Sequence, residues 1–155
     1  MPGKLKIEIQ TGVLLSRETQ MVNTFIKQYH SSLEKFDPKS VAQYYNFPIN
    51  IFTEDGESIM FSEDLFLAYS DQLFREYQSL GISKLDHKII SRDKLSQNLL
   101  LVSIAWQFID PQKNVKYDAT IRYVLSSVSA ELKIVSVYIV DERKRFNEFR
   151  KNVGS

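Results

Sequence analysis

The chain has 155 residues, is 43% hydrophobic and 12% aromatic, and sets 20 basic against 19 acidic side chains for a formal charge of +1. That length suits a single domain with a full core; near neutrality supplies no global field to draw the chain to nucleic acid or an anionic membrane; and the absence of cysteine excludes disulfides, thiolate metal sites and a cysteine nucleophile. No apolar run approaches the ~18 residues of a membrane-spanning helix, the N-terminal residues alternate rather than form a leader-like apolar block, and a reducing cytoplasm is the expected setting.

Residues 1–15 read as an extended arm or edge strand, because Leu5, Ile7 and Ile9 alternate with Lys4, Lys6, Glu8 and Gln10. Ser16 stands where an N-cap belongs, and Val22, Phe25, Ile26, Tyr29 and Leu33 then follow helical spacing. Asp37-Pro38 opens a second helix, with Asp as cap and Pro at the first position, where its missing N–H has no intrahelical partner. That helix is expected to reach Tyr45 and to be ended by Pro48, with Ile49, Ile51 and Phe52 as the strand that follows. Asp55-Gly56 is a hairpin signal, since a tight turn needs positive φ, and Ser58 to Phe61 returns as its partner strand.

Ser62, with Glu63 and Asp64 in the first turn, caps a third helix whose Phe66, Tyr69, Leu73, Tyr77 and Leu80 share one face until Gly81 stops it. Four strands are then expected, over Lys84 to Lys94, Gln97 to Ile109, Val115 to Ser126 and Glu131 to Val140, joined by short polar connections as an antiparallel meander. Residues 142–155 form a basic C-terminal helix or tail, rich in Arg143, Lys144, Arg145, Arg150 and Lys151, which is either a solvated end or a docking site for an acidic partner. The reading is therefore an α+β domain over 16–141, with helices packed in the concave face of a curved, mostly antiparallel sheet.

This order of elements, together with Phe36-Asp37-Pro38 and Asp55-Gly56, resembles the nuclear transport factor 2-like superfamily, the cystatin-like cone fold shared with SnoaL-like and ketosteroid isomerase-like proteins. The resemblance implies a cavity at the open end of the cone that admits a small apolar molecule, and homodimers through the outer sheet face. A two-sided sheet agrees with it: Leu100, Val102, Ile104, Trp106 and Phe108 occupy one face of their strand, and Leu99, Leu101, Ala105 and Ile109 the other.

For the ketosteroid isomerases the resemblance implies a carboxylate base on the strand after helix two, a tyrosine donor on helix one and a protonated aspartate. Tyr29 matches the tyrosine, but Ile49 to Thr53 carries no carboxylate and Gln97 to Ile109 no acid. The plainer account of Tyr29 is a core tyrosine with its hydroxyl satisfied locally. The paired histidines of dehydratases with this fold direct attention to His30 and His87, which converge only if the sheet bends over helix one; a hydrogen-bonded packing role is the plain alternative. Asp118 and Arg122 share a strand face, as an epoxide hydrolase would require, but Lys116 and Thr120 share it too, which reads as solvent or a dimer rim.

Trp106 can stack on a flat ligand or simply pack, and no phosphate loop, dinucleotide fingerprint or nucleophile elbow is present. No metal or cofactor is expected. Three readings follow: a ligand pocket lined by Tyr29, Phe52, Trp106, Tyr117, Tyr123 and Tyr138; a protein–protein interaction module with a filled cavity; or a lyase, isomerase or hydrolase using Tyr29, His30 and His87.

Overall fold

A computed structural model describes residues 13–140; the expected arm strand and the basic tail lie outside the described residues. Among the described residues three helices, α1 (Ser16–Leu33), α2 (Pro38–Ala42) and α3 (Glu63–Ser79), pack on a curved six-stranded sheet made of β1 (Tyr45–Phe52), β2 (Ser58–Phe61), β3 (Lys84–Ser96), β4 (Leu99–Ile109), β5 (Val115–Ser126) and β6 (Lys133–Ile139). The strand order is β2-β1-β6-β5-β4-β3, antiparallel throughout except where β1 runs parallel to β6. No helix among the described residues is long and apolar enough to cross a membrane.

The alternation of β4 and β5 sets the core. Leu100, Val102, Ile104, Trp106 and Phe108 are buried on the concave side, facing Leu125, Tyr123, Ile121, Ala119 and Tyr117 across the ladder. On the convex side Leu99, Leu101, Ala105, Ile109 and Val124 are half-buried. Helix α1 lays Val22, Phe25, Ile26 and Tyr29 on the concave side, a 3-1-3 spacing that keeps all four on one stripe. Its start departs from the sequence reading: Leu15, not Ser16, is the N-cap residue, and Glu18 Oε1 accepts from the Leu15 N–H at 2.9 Å.

Asp37 caps α2 as expected, accepting from Lys39 N at 3.2 Å, but the helix ends at Ala42 and Pro48 lies inside β1. Because Pro has no N–H to give to a ladder, the pairing of β1 with β6 is interrupted between Tyr45 and Asn50, the stretch that contains Pro48. Helix α3 takes its cap from Ser62 Oγ, which accepts from Leu65 N at 3.2 Å. It ends where Ile82 N donates to Tyr77 O and Gly81 N to Gln78 O, both at 3.0 Å, with Gly81 at φ +82°.

The flank of α1 beside its apolar stripe is polar and lies antiparallel along β3, the terminal strand of the sheet. Four contacts form this seam: Glu18 with Lys94 at 2.9 Å, Asn23 with Arg92 at 2.6 and 2.9 Å, His30 with His87 at 2.5 Å, and Glu34 with the Leu85 N–H at 3.0 Å. Sixteen helical residues rise about 24 Å and nine strand residues about 30 Å, so the two rows stay within reach along the whole seam. A bulge makes this possible: Ile89 pairs with Ile104 and Ser91 with Ser103, which leaves Ile90 without an opposite residue. The extra residue reverses the alternation, so Arg92 and Lys94 join Leu85, His87 and Ile89 on the concave side.

Candidate functional site

Where α1, α3 and the sheet leave space between them, they enclose a cavity of about 100 Å³. Tyr29 and Leu33 from α1, Phe66, Phe74 and Tyr77 from α3, and Trp106 from β4 are among its walls, and among the described residues no Asp or Glu lines it. The helical and strand alternations that build the core therefore also make this interior aromatic. A wider cleft of about 610 Å³ runs between α1 and Ala130–Lys133, but its walls include Gln20, Thr24, Gln28 and Gln43, and it is a surface groove rather than an interior.

The polar atoms of the cavity walls are mostly phenols. Tyr29 and Tyr45 hydroxyls lie 2.6 Å apart, and Trp106 Nε1 donates to the Tyr123 hydroxyl at 3.0 Å. The Tyr29 ring meets those of Trp106 and Tyr123 edge-on, with centroids 6.2 and 5.7 Å apart. Aromatic edges and hydroxyls of this kind hold a flat, weakly polar molecule and stabilise little charge.

His30 and His87 do converge, because β3 curves over α1. Their Nδ1 atoms are 2.5 Å apart, and Glu34 Oε2 lies 3.4 Å from His30 Nε2 while accepting from Leu85 N. Both imidazoles pack on the Trp106 ring, at 5.7 and 5.5 Å between centroids. Burial, together with the neighbouring His30, holds His87 below its ordinary pKa, with Asp86 opposing the shift. Neither histidine lines the cavity; Trp106, on which both pack, does. Among the described residues no group of three His, Cys, Asp or Glu side chains can hold a metal ion.

Of the residues expected to line a pocket, Tyr29, Trp106 and Tyr123 do so. Phe52 and Tyr138 do not: they sit on the convex face, stacked on each other with centroids 4.6 Å apart, because Ile51, Val137 and Ile139 take the concave positions of β1 and β6. Tyr117 faces inward but is not a wall residue either; its ring lies 4.8 Å from that of Phe108 within the core. Asp118 and Arg122 are exposed, away from the cavity. Sequence reasoning missed Tyr45, placed at the end of α2, and Phe74, which reaches the interior one turn beyond Ser70. It also missed Glu34, although a carboxylate four residues after His30 on a helix is a readable pairing.

A family profile described as NTF2-like protein (DUF6841) matches residues 17–142. None of the curated proteins matches. Among solved structures the chain is similar to a domain of unknown function with a cystatin-like fold from Nostoc punctiforme, at TM-score 0.65 and 15% identity over 87% of this chain and 86% of that one. An NTF-2 like protein of unknown function from Shewanella oneidensis gives TM-score 0.63 at 16% identity, over 78% and 97% of the two chains. A ketosteroid isomerase-like protein from Erwinia carotovora atroseptica gives 0.59 at 11%, over 81% and 96%. At these identities the likeness is one of fold.

Proposed function

The chain belongs to the NTF2-like family (DUF6841), and on that premise we propose that it binds a small, largely apolar molecule inside the cone. The observation that carries this reading is the aromatic cavity of about 100 Å³, lined by no carboxylate among the described residues. A dry engineered cavity of roughly 150 Å³ accepts benzene, so the occupant is of single-ring size or smaller. The Tyr29, Tyr45 and Tyr123 hydroxyls favour a ligand with one oxygen, such as a phenol, an aromatic aldehyde or a cyclic ketone. The lack of cysteine supports a reducing, cytoplasmic setting, and the half-buried apolar convex face supports a homodimer.

A thermal-shift screen of single-ring phenols, aldehydes and ketones tests the proposal. A ligand at about 100 times its Kd adds about 2.7 kcal/mol, which for this chain length raises Tm by about 5–10 °C. Val137→Phe fills the cavity from β6 and is expected to abolish that shift while leaving the fold intact. If no compound raises Tm, or if Val137→Phe responds like the wild type, the binding reading is wrong.

Acid–base catalysis is a second reading, favoured by the contact between His30 and His87, and it requires a substrate that reaches the pair from outside the cavity, since neither histidine lines it. Any turnover found should fall by at least about 100-fold when both residues are changed to Ala; unchanged turnover in that double variant removes it.

A further inference from the structure

His30 and His87 are the two histidines of the chain, and Trp106, on which both rings pack, is its one tryptophan. A hydrogen bond between two Nδ1 atoms requires one of them to carry hydrogen and the other a lone pair. The contact is therefore made with both rings neutral or with one ring charged. Two imidazolium rings would bring two N–H groups and two positive charges together, and the contact would open.

The charges around the two rings differ. From α1, Glu34 faces His30 Nε2 at 3.4 Å, and its carboxylate is anchored to β3 through the Leu85 N–H. A charged His30 thus donates Nε2–H to Glu34 and Nδ1–H to a neutral His87. Along β3 the charged neighbour of His87 is Asp86, and from β4 both rings meet the uncharged indole of Trp106. Further along the seam, Arg92 is taken by Asn23 and Lys94 by Glu18. Two charges on the pair would set a half-buried His87 against a cation, the state that its lowered pKa disfavours.

We propose that the contact between His30 and His87 is a pH-operated latch between α1 and β3, closed while the pair carries at most one extra proton and released when both rings are charged, and that its release loosens Trp106 as a wall of the cavity. The link to the cavity rests on the binding reading above; the latch itself does not. The folded protein resists protonating His87 and the unfolded chain does not, so the stability the pair contributes is full above the ordinary histidine value of 6.5 and is lost as pH falls below it.

Trp106 reports the latch directly. In ligand-free protein, its emission is followed from about pH 8 to about pH 5, the range in which histidine charges, alongside hydrogen exchange of the Leu85 amide. The expected result is an emission change with its midpoint below 6.5, a rise in Leu85 amide exchange of at least tenfold, and a Tm several degrees lower at the acid end. His87→Asn keeps a hydrogen-bonding atom near Nδ1 without titrating, and its Leu85 amide exchange is expected to stay flat over this range, whatever emission change the remaining His30 beside Trp106 produces; His87→Gln serves if circular dichroism shows that the Asn variant does not fold. Flat wild-type emission and exchange, or a variant whose Leu85 exchange rises like that of the wild type, overturns the latch. A wild-type transition in a protein for which no ligand raises Tm leaves the latch standing and removes only its link to the cavity.

Discussion

Lys94 keeps its ammonium 2.9 Å from Glu18 Oε2 with 7% of its side chain exposed, the most deeply buried charge of the seam. Burial works to raise the Glu18 pKa, but the Leu15 N–H and the Lys94 ammonium outweigh it and hold the carboxyl below its ordinary value. That part of the stability is therefore present above 4.5 and lost as pH falls below it. The two partners respond differently to removal. Glu18→Gln leaves a buried cation without its counter-ion and is expected to cost about 2 kcal/mol in urea denaturation, less than a fully buried pair because Glu18 reaches solvent. Lys94→Met replaces the cation with an apolar chain of similar length and is expected to cost under about 1 kcal/mol. Equal losses from both variants would mean that the pair contributes packing rather than charge.

At the scale of elements, Phe36 is a non-glycine residue in the left-handed region, at φ +53°, in the turn between α1 and α2. Its ring packs edge-on against Phe74, 5.8 Å between centroids, and forms part of the cavity wall. Phe36→Gly relieves roughly 1 kcal/mol of backbone strain but removes a half-buried ring worth about 2–3 kcal/mol, so a net loss of about 1–2 kcal/mol is expected in equilibrium unfolding. Gly81→Ala, at φ +82°, gains no contact to set against the strain and is expected to cost about 1–2 kcal/mol. Helices and long strands of this kind were legible in the sequence, because Val22 to Tyr29 and Leu100 to Phe108 carry the full period of their elements. The seam was not. Simple alternation places Ser91 and Asp93 with His87, and only the bulge at Ile90 turns Arg92 and Lys94 toward α1; a bulge has no distinctive residue there. Pro48 misled for the opposite reason, since a residue without an N–H can sit within a strand at the cost of a local interruption of the ladder.

For the whole molecule, the convex face carries Leu99, Leu101, Ala105 and Val124 in a half-buried state beside the Phe52–Tyr138 stack. Light scattering at micromolar concentration is expected to give a dimer mass, and Val124→Glu, which places a carboxylate at the centre of that face, a monomer; a wild-type monomer would refute the paired assembly. The walls of the interior were not fully legible. Which tyrosines face it depends on the register of β1 and β6, and their parallel pairing joins segments more than eighty residues apart, a relation that local periodicity does not carry.

That parallel pairing also dictates an order of events during synthesis. Strand β1 has β2 on one side and β6 on the other, so the amino-terminal half leaves the ribosome with one border of its hairpin open and cannot complete its hydrogen bonding until Ile139 has emerged. A nascent chain halted after β5 would therefore expose that border to chaperones, and release from them would coincide with the arrival of the last strand.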